Sequence, residues 1–157
     1  MARAQKPDLS TDEMPHVSLD GVELDLDRQR RCGFPEVVFG EGKSPQSVKE
    51  IFARLRESDQ DCLATRVSPE QARLVTSSFP EAVYNQQART VRISRSEETV
   101  GFVPVVTAGT SDRPVAEEAL ETLRWMHVAC EAVDDVGVAG PQRLLDQLPR
   151  LKGADAV

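Results

Sequence analysis

The chain has 157 residues, room for one ordinary domain or two very small ones, and its 39% of hydrophobic residues can supply a core. A net charge of −7 argues against binding nucleic acid or an anionic membrane surface, both of which call for basic patches. No apolar run approaches a membrane span, and the N-terminus lacks a signal-peptide core, so a soluble cytoplasmic protein is expected.

Residues 1–20 carry Pro7, Pro15 and scattered charges, and read as a mobile tail. His16 falls in this tail, and with His127 as the other histidine the pattern offers no metal cluster. Val22, Leu24 and Leu26 alternate with polar residues, which predicts an edge strand over 21–27. Arg28, Arg30 and Arg31 make a local basic run, readable as a solvated face or as a site for an anionic ligand. Val37–Phe39 predicts a strand, and Ser44-Pro45 opens a helix whose stripe is Val48, Ile51, Phe52 and Leu55. Gly42-Lys43-Ser44 after a strand resembles the end of a phosphate-binding loop. The full motif needs a glycine where Val37 stands, which speaks against a nucleoside triphosphate there.

Cys62–Val67 predicts a second strand, and Ser68-Pro69-Glu70-Gln71 is a capping box with proline at the first helical position. Ala82–Tyr84 and Thr90–Ile93 read as a hairpin turned by Asn85-Gln86-Gln87. The polar stretch 94–99 marks a boundary, so the expected domains are a tail (1–20), a small α/β unit (21–96) and a second unit (97–157).

The second unit opens on Val103–Val106, an apolar run expected of a strand covered on both faces. Ala108 and Gly109 turn the chain, and Ser111 or Asp112 can cap a helix with Pro114 in its first turn. Ala116, Ala119, Leu120 and Leu123 share one face of that helix. Thr110, Ser111 and Asp112 thus stand between a strand's C-terminal end and a helix's N-terminal end, where open α/β sheets bind phosphorylated ligands. The same residues serve as ordinary helix caps, and the pattern alone leaves both readings open.

Val128–Val133 predicts the second strand of this unit. A small-residue turn over 134–140 and a helix from Pro141 with Leu144, Leu145 and Leu148 on one face follow. Ala154, Ala156 and Val157 look like the start of a third strand. A two-stranded parallel sheet leaves faces and edges uncovered, so the chain reads as the front part of a longer protein or as one that borrows strands from a partner.

Four stretches carry a resemblance to a known family: RCGFPEVVFGEGKSP, TRVSPEQA (65–72), VVTAGTSDRPVAEEALETL (105–123) and DVGVAG (135–140). Together they resemble the LarB family, the pyridinium-3,5-biscarboxylic acid mononucleotide synthases of nickel-pincer cofactor biosynthesis, over residues 24–157. The resemblance implies an α/β fold. A small N-terminal α/β unit would precede the first β-α-β-α units of a PurE-like parallel-sheet domain (Rossmann-like, flavodoxin-like), cut at its third strand. It implies carboxylation of the pyridinium ring of nicotinic acid adenine dinucleotide with CO2 or bicarbonate, and hydrolysis of its phosphoanhydride to release AMP.

By the same resemblance, Gly109, Thr110, Ser111, Asp112, Asp135, Gly137 and Gly140 would hold the dinucleotide. The family's cysteine nucleophile is expected beyond Val157, with no catalytic residue among Cys32, Cys62 and Cys130. The 157-residue chain alone is then expected to be inactive. Cys130 is expected in the core and Cys32 in a structural turn; their odd number and the lack of a CxxC pair argue against a disulfide framework or a zinc site. The resemblance implies no tightly bound cofactor and no metal ligands, leaves magnesium open for the hydrolytic step, and implies a homo-oligomer at full length. The purine-pathway relatives, AIR carboxylases and mutases, carry a catalytic histidine that aligns with Val138, and valine cannot relay a proton. A purine-type mutase and a non-catalytic assembly module are the alternatives.

Overall fold

The structure, a computed structural model, describes residues 16–19, 22–96 and 98–157. It is a mixed α/β protein with two sheets that contain parallel pairs and a separate N-terminal hairpin. Strand β1 (His16–Leu19) pairs antiparallel with β2 (Val22–Asp25), so these four residues are not tail. Backbone pairing in register with β2 orders them; the rest of 1–15 and residues 20 and 21 lie outside the described residues. A short helix absent from the sequence reading, α1 (Arg28–Cys32), follows and ends on Gly33, whose φ of 86° suits glycine. Its basic run faces carboxylates: Arg30 donates to Asp27 at 2.7 and 2.9 Å, and Arg31 pairs with Asp25 and Asp27. The Arg30 guanidinium holds the Asp27 carboxyl below its ordinary range.

The first sheet has the order β3-β4-β6-β5, from β3 (Val37–Phe39), β4 (Cys62–Thr65), β5 (Val83–Asn85) and β6 (Thr90–Ile93). β3 and β4 are parallel, and β6 runs antiparallel to both β4 and β5. α2 (Pro45–Glu57) and α3 (Pro69–Ser78) cover one face. Both helices start as their caps dictate. The Ser44 Oγ accepts from the Ser47 amide at 3.0 Å, and Ser68 and Gln71 exchange reciprocal bonds of 3.2 and 2.7 Å. Val48, Ile51, Phe52 and Leu55 are buried with Val38, Cys62, Ala64, Val75, Val91 and Ile93 in one core. The strand period of two sends Leu63 and Arg92 to the opposite face.

That opposite face is covered by α4 (Arg113–Trp125), which belongs to the second unit. Arg92 of β6 donates to Glu121 of α4 at 2.7 Å, Arg66 pairs with Glu118 at 3.2 Å, and the Trp125 and Phe34 rings lie 6.2 Å apart. α4 also packs on its own sheet, β7 (Val100–Val106) and β8 (Val128–Val133), a parallel pair. One helix therefore serves two sheets.

Two expectations for the second sheet are corrected. Val103, Val105 and Val106 are half-exposed and not covered on both faces, because α4 lies on one face and the sheet has two strands. α5 (Pro141–Leu151) forms as predicted but buries none of its residues; Leu144, Leu145 and Leu148 are exposed. Residues 154–157 form no strand. Instead Asp155 accepts from the Phe102 amide at 2.8 Å and donates its own amide to the Phe102 carbonyl at 2.9 Å. These bonds sit where Gly101, at φ 63°, bulges β7; a Cβ there would come 2.8 Å from Asp155 Oδ2.

Candidate functional site

The predicted site residues gather at the C-terminal ends of β7 and β8. Pairing runs past the strands: Thr107 donates to the Val133 carbonyl at 3.0 Å, Val136 to Thr107 at 3.0 Å and Gly137 to Ala108 at 3.1 Å. The turn carrying Gly109, Thr110, Ser111 and Asp112 and the loop carrying Asp135, Gly137 and Gly140 are thereby stitched side by side. Gly137 is required by this contact, because a Cβ would meet the Ala108 carbonyl oxygen at 2.6 Å. Gly137→Ala is expected to force the loops apart and cost about 1–3 kcal/mol in a thermal melt. An unchanged melting temperature would show that the loops move apart freely.

Asp112 does not cap α4 with its side chain. Thr110–Asp112 is a 3-10 turn, and the Asp112 Oδ2 accepts from the Gly109 amide at 3.0 Å, turning back instead of forward. A carboxylate accepts several hydrogen bonds, so Asp112 keeps capacity for a ligand hydroxyl. Thr110 and Ser111 are exposed at the turn's tip. Gly109 has an extended backbone and open space where a Cβ would stand, so close approach to the backbone is unobstructed. Beside the turn, between β7 and α4, lies a hollow of about 200 Å³, walled by Val106, Ala108, Val115 and Ala119 with Thr107 and Asp112 as polar members.

Two ion pairs that the sequence reading missed brace the second loop. Arg113, the first residue of α4, donates to Asp134 at 2.8 Å, and Arg143, in the first turn of α5, donates to Asp135 at 2.6 Å. A cation at a helix N-terminus opposes the helix dipole. Arg113 and Arg143 at predicted helix starts were therefore a legible signal that carboxylates must lie close. Asp135 has φ 60°, a left-handed conformation that aspartate tolerates better than most residues. Gly140 precedes α5 with its amide on the Gly137 carbonyl at 3.0 Å, and Val138 is 99% exposed at the loop's tip.

The other sequence candidates fall elsewhere. The Gly42-Lys43-Ser44 turn is committed to structure. Gln71 donates to the Gly40 and Lys43 carbonyls at 2.8 and 2.7 Å, while the Ser44 hydroxyl caps α2. Burial pushes the Cys62 thiol up to about 12, far from a reactive thiolate. Cys130 is half-buried rather than core and contacts the Leu120 carbonyl at 3.7 Å; Cys32 is exposed at the end of α1. Cys130 lines a larger cavity, of about 580 Å³, at the far end of α4 from the turn. The polar groups there are already engaged, Arg92 and Arg124 with Glu121 and the His127 ring nitrogen with the Asp61 carboxylate at 2.7 Å, so the turn remains the better candidate despite its smaller hollow. Among the described residues no three His, Cys, Asp or Glu side chains group as metal ligands, and no helix is long and apolar enough to cross a membrane.

Comparison with known proteins adds the family. The LarB/PurE-like N-terminal domain matches residues 17–95, which span the N-terminal hairpin and the first sheet. An uncharacterised protein of Methanocaldococcus jannaschii is 36% identical over 138 residues, covering 83% of this chain and 54% of that protein. The chain thus spans about half the length of this curated relative, and the similarity extends beyond the matched domain into the second unit. With half of its length matched by that domain, the chain belongs to the LarB/PurE-like N-terminal domain family.

Proposed function

We propose that this chain carries the dinucleotide-holding part of a LarB-type synthase of nickel-pincer cofactor biosynthesis. In this reading nicotinic acid adenine dinucleotide is carboxylated on its pyridinium ring with CO2 and its phosphoanhydride is hydrolysed, giving pyridinium-3,5-biscarboxylic acid mononucleotide and AMP. The observation that carries it is the side-by-side docking of the 109–112 turn and the 135–140 loop at the C-terminal ends of two parallel strands. Membership of a family named for LarB and PurE supports a carboxylase-type chemistry.

Roles follow from the groups available. Thr110 and Ser111 offer hydroxyls to a phosphate, and Asp112 accepts from a ribose hydroxyl. Asp135, Gly137 and Gly140 shape the second wall. The hollow of about 200 Å³ is below the size that encloses a whole ligand of this kind, so the chain holds part of the dinucleotide. Carboxylation of an electron-poor pyridinium needs a nucleophile to add first and make the ring enamine-like. By the family resemblance this nucleophile is a cysteine outside these residues, and none of Cys32, Cys62 and Cys130 lines the turn site. The homo-oligomeric state, cytoplasmic location and any use of magnesium belong to the same proposal. The exposed Val138, standing where purine-pathway relatives carry histidine, disfavours a mutase of that pathway.

Calorimetric titration of the purified chain with nicotinic acid adenine dinucleotide tests the reading. Asp112→Ala is expected to weaken binding about tenfold, as loss of a charge-assisted hydrogen bond does, while costing ~1 kcal/mol of stability. The same stability loss with unchanged affinity would leave Asp112 a structural residue and remove this role. In parallel, incubation with bicarbonate and magnesium, followed by mass spectrometry, is expected to yield no carboxylated mononucleotide from this chain alone. Product would mean that the nucleophile lies within it.

A further inference from the structure

A continuous path of polar side chains links the first sheet to both candidate ligand loops. It starts at Asn85, the last residue of β5. The Asn85 Oδ1 accepts from the Gln87 and Ala88 amides at 3.1 and 3.0 Å, which fixes the carboxamide in the hairpin turn. Its Nδ2 therefore points outward in a set direction and donates to Glu117 and Glu121 of α4, each at 3.2 Å. Glu117 pairs with Arg113 at 3.5 Å, Arg113 donates to Asp134 at 2.8 Å, and Asp134 accepts from the Thr107 hydroxyl at 3.2 Å. Thr107 is 6% exposed, and its carbonyl receives the Val136 amide that stitches the loops.

Arg113 is the unusual member. An isolated surface ion pair contributes little. Here a cation sits at the first position of α4, against the helix dipole, and is held between carboxylates from two elements. The planar fork of arginine reaches both at once, which a lysine ammonium does less well. We propose that Arg113 is a positioning residue through which the first sheet, by way of Asn85 and Glu117, sets the register of the two ligand loops. The N-terminal domain is then a platform that acts on the ligand site without touching ligand. The ligand arm of the proposal rests on the reading given above; the mechanical arm does not.

Hydrogen exchange of the Val136 and Gly137 amides reads the coupling in the ligand-free chain. Asn85→Asp keeps the acceptor for the hairpin turn and replaces its donors with an oxygen facing Glu117 and Glu121. Asn85→Asp and Arg113→Lys are each expected to speed exchange at Val136 and Gly137 about fivefold, with the Gly40 amide of the first sheet unchanged. Should Asn85→Asp speed Gly40 as well, Glu117→Gln, which is isosteric and still accepts from Asn85, isolates the link to Arg113. It is expected to speed Val136 and Gly137 about threefold. Wild-type exchange at these two amides in both Arg113→Lys and Glu117→Gln overturns the proposal. So does equal acceleration of every protected amide. Titration with nicotinic acid adenine dinucleotide separates the arms. Faster exchange with no dinucleotide bound by the wild type removes the ligand reading and leaves the coupling standing. Dinucleotide binding with exchange unmoved removes the coupling and leaves the ligand reading.

Discussion

Phe52→Ala is expected to lower the stability of the chain by about 3–5 kcal/mol, the range for emptying a large aromatic site in a packed core. Phe52 is fully buried on α2, with its ring 6.3 Å from Phe79 and its carbonyl 3.8 Å from the Cys62 thiol. Around it Val48, Ile51 and Leu55 are also sealed from solvent, so no side chain from the surface can relax into the void. Domains of this size hold only about 5–15 kcal/mol in all, so this one change removes much of it. Urea denaturation is the measurement, with Val83→Ala as the control. Val83 is 45% exposed, and its truncation is expected to stay within about 0.5 kcal/mol. A loss below about 1 kcal/mol for Phe52→Ala would mean that the α2 face is not the centre of the core.

Glu121→Gln is expected to cost about 1.5–3 kcal/mol at neutral pH, the worth of hydrogen bonds to a charged group. Glu121 is 4% exposed and accepts from Arg92 and Arg124 at 2.7 Å and from Asn85 at 3.2 Å. Burial alone would push its carboxyl up. The bonds from Arg92 and Asn85, with the charges of Arg92 and Arg124, outweigh burial and hold it below the ordinary 4.5. A depressed folded pKa stabilises fully above the unfolded value, and the contribution is lost as pH falls through the folded one. The gap between wild type and Glu121→Gln is therefore expected to stay constant above about pH 5 and to close on acidification. Denaturation curves at pH 7 and at successively lower pH check this. An equal gap throughout would show that the charge of Glu121 contributes nothing. The double variant Glu121→Leu/Arg92→Met, which removes both partners, is expected to recover much of the loss that Arg92→Met alone inflicts.

Both results concern contacts of different legibility. The stripe Val48, Ile51, Phe52 and Leu55 repeats at helical spacing, and Ser44-Pro45 and Ser68-Pro69 mark helix starts by chemistry confined to four residues. Such signals are local, so the elements over 37–93 and the order of strands and helices over 100–151 could be read from the chain itself. The turn over 109–112 was legible for the same reason, although the direction in which Asp112 bonds was not; a carboxylate three residues from Gly109 can turn either way.

What the sequence by itself determined was therefore the identity of most elements, the caps that start them and the small residues that let two turns meet. The tertiary structure alone decided that α4 covers the first sheet as well as its own, that β1 pairs with β2, and that Asp134 and Asp135 each receive an arginine from a helix start. Periodicity marks which face of a helix is apolar, but a charged residue such as Glu121 is buried only because Arg92, 29 positions away, and Asn85 face it. Partners that distant are brought together by sheet register and helix direction, and no short window of sequence contains them.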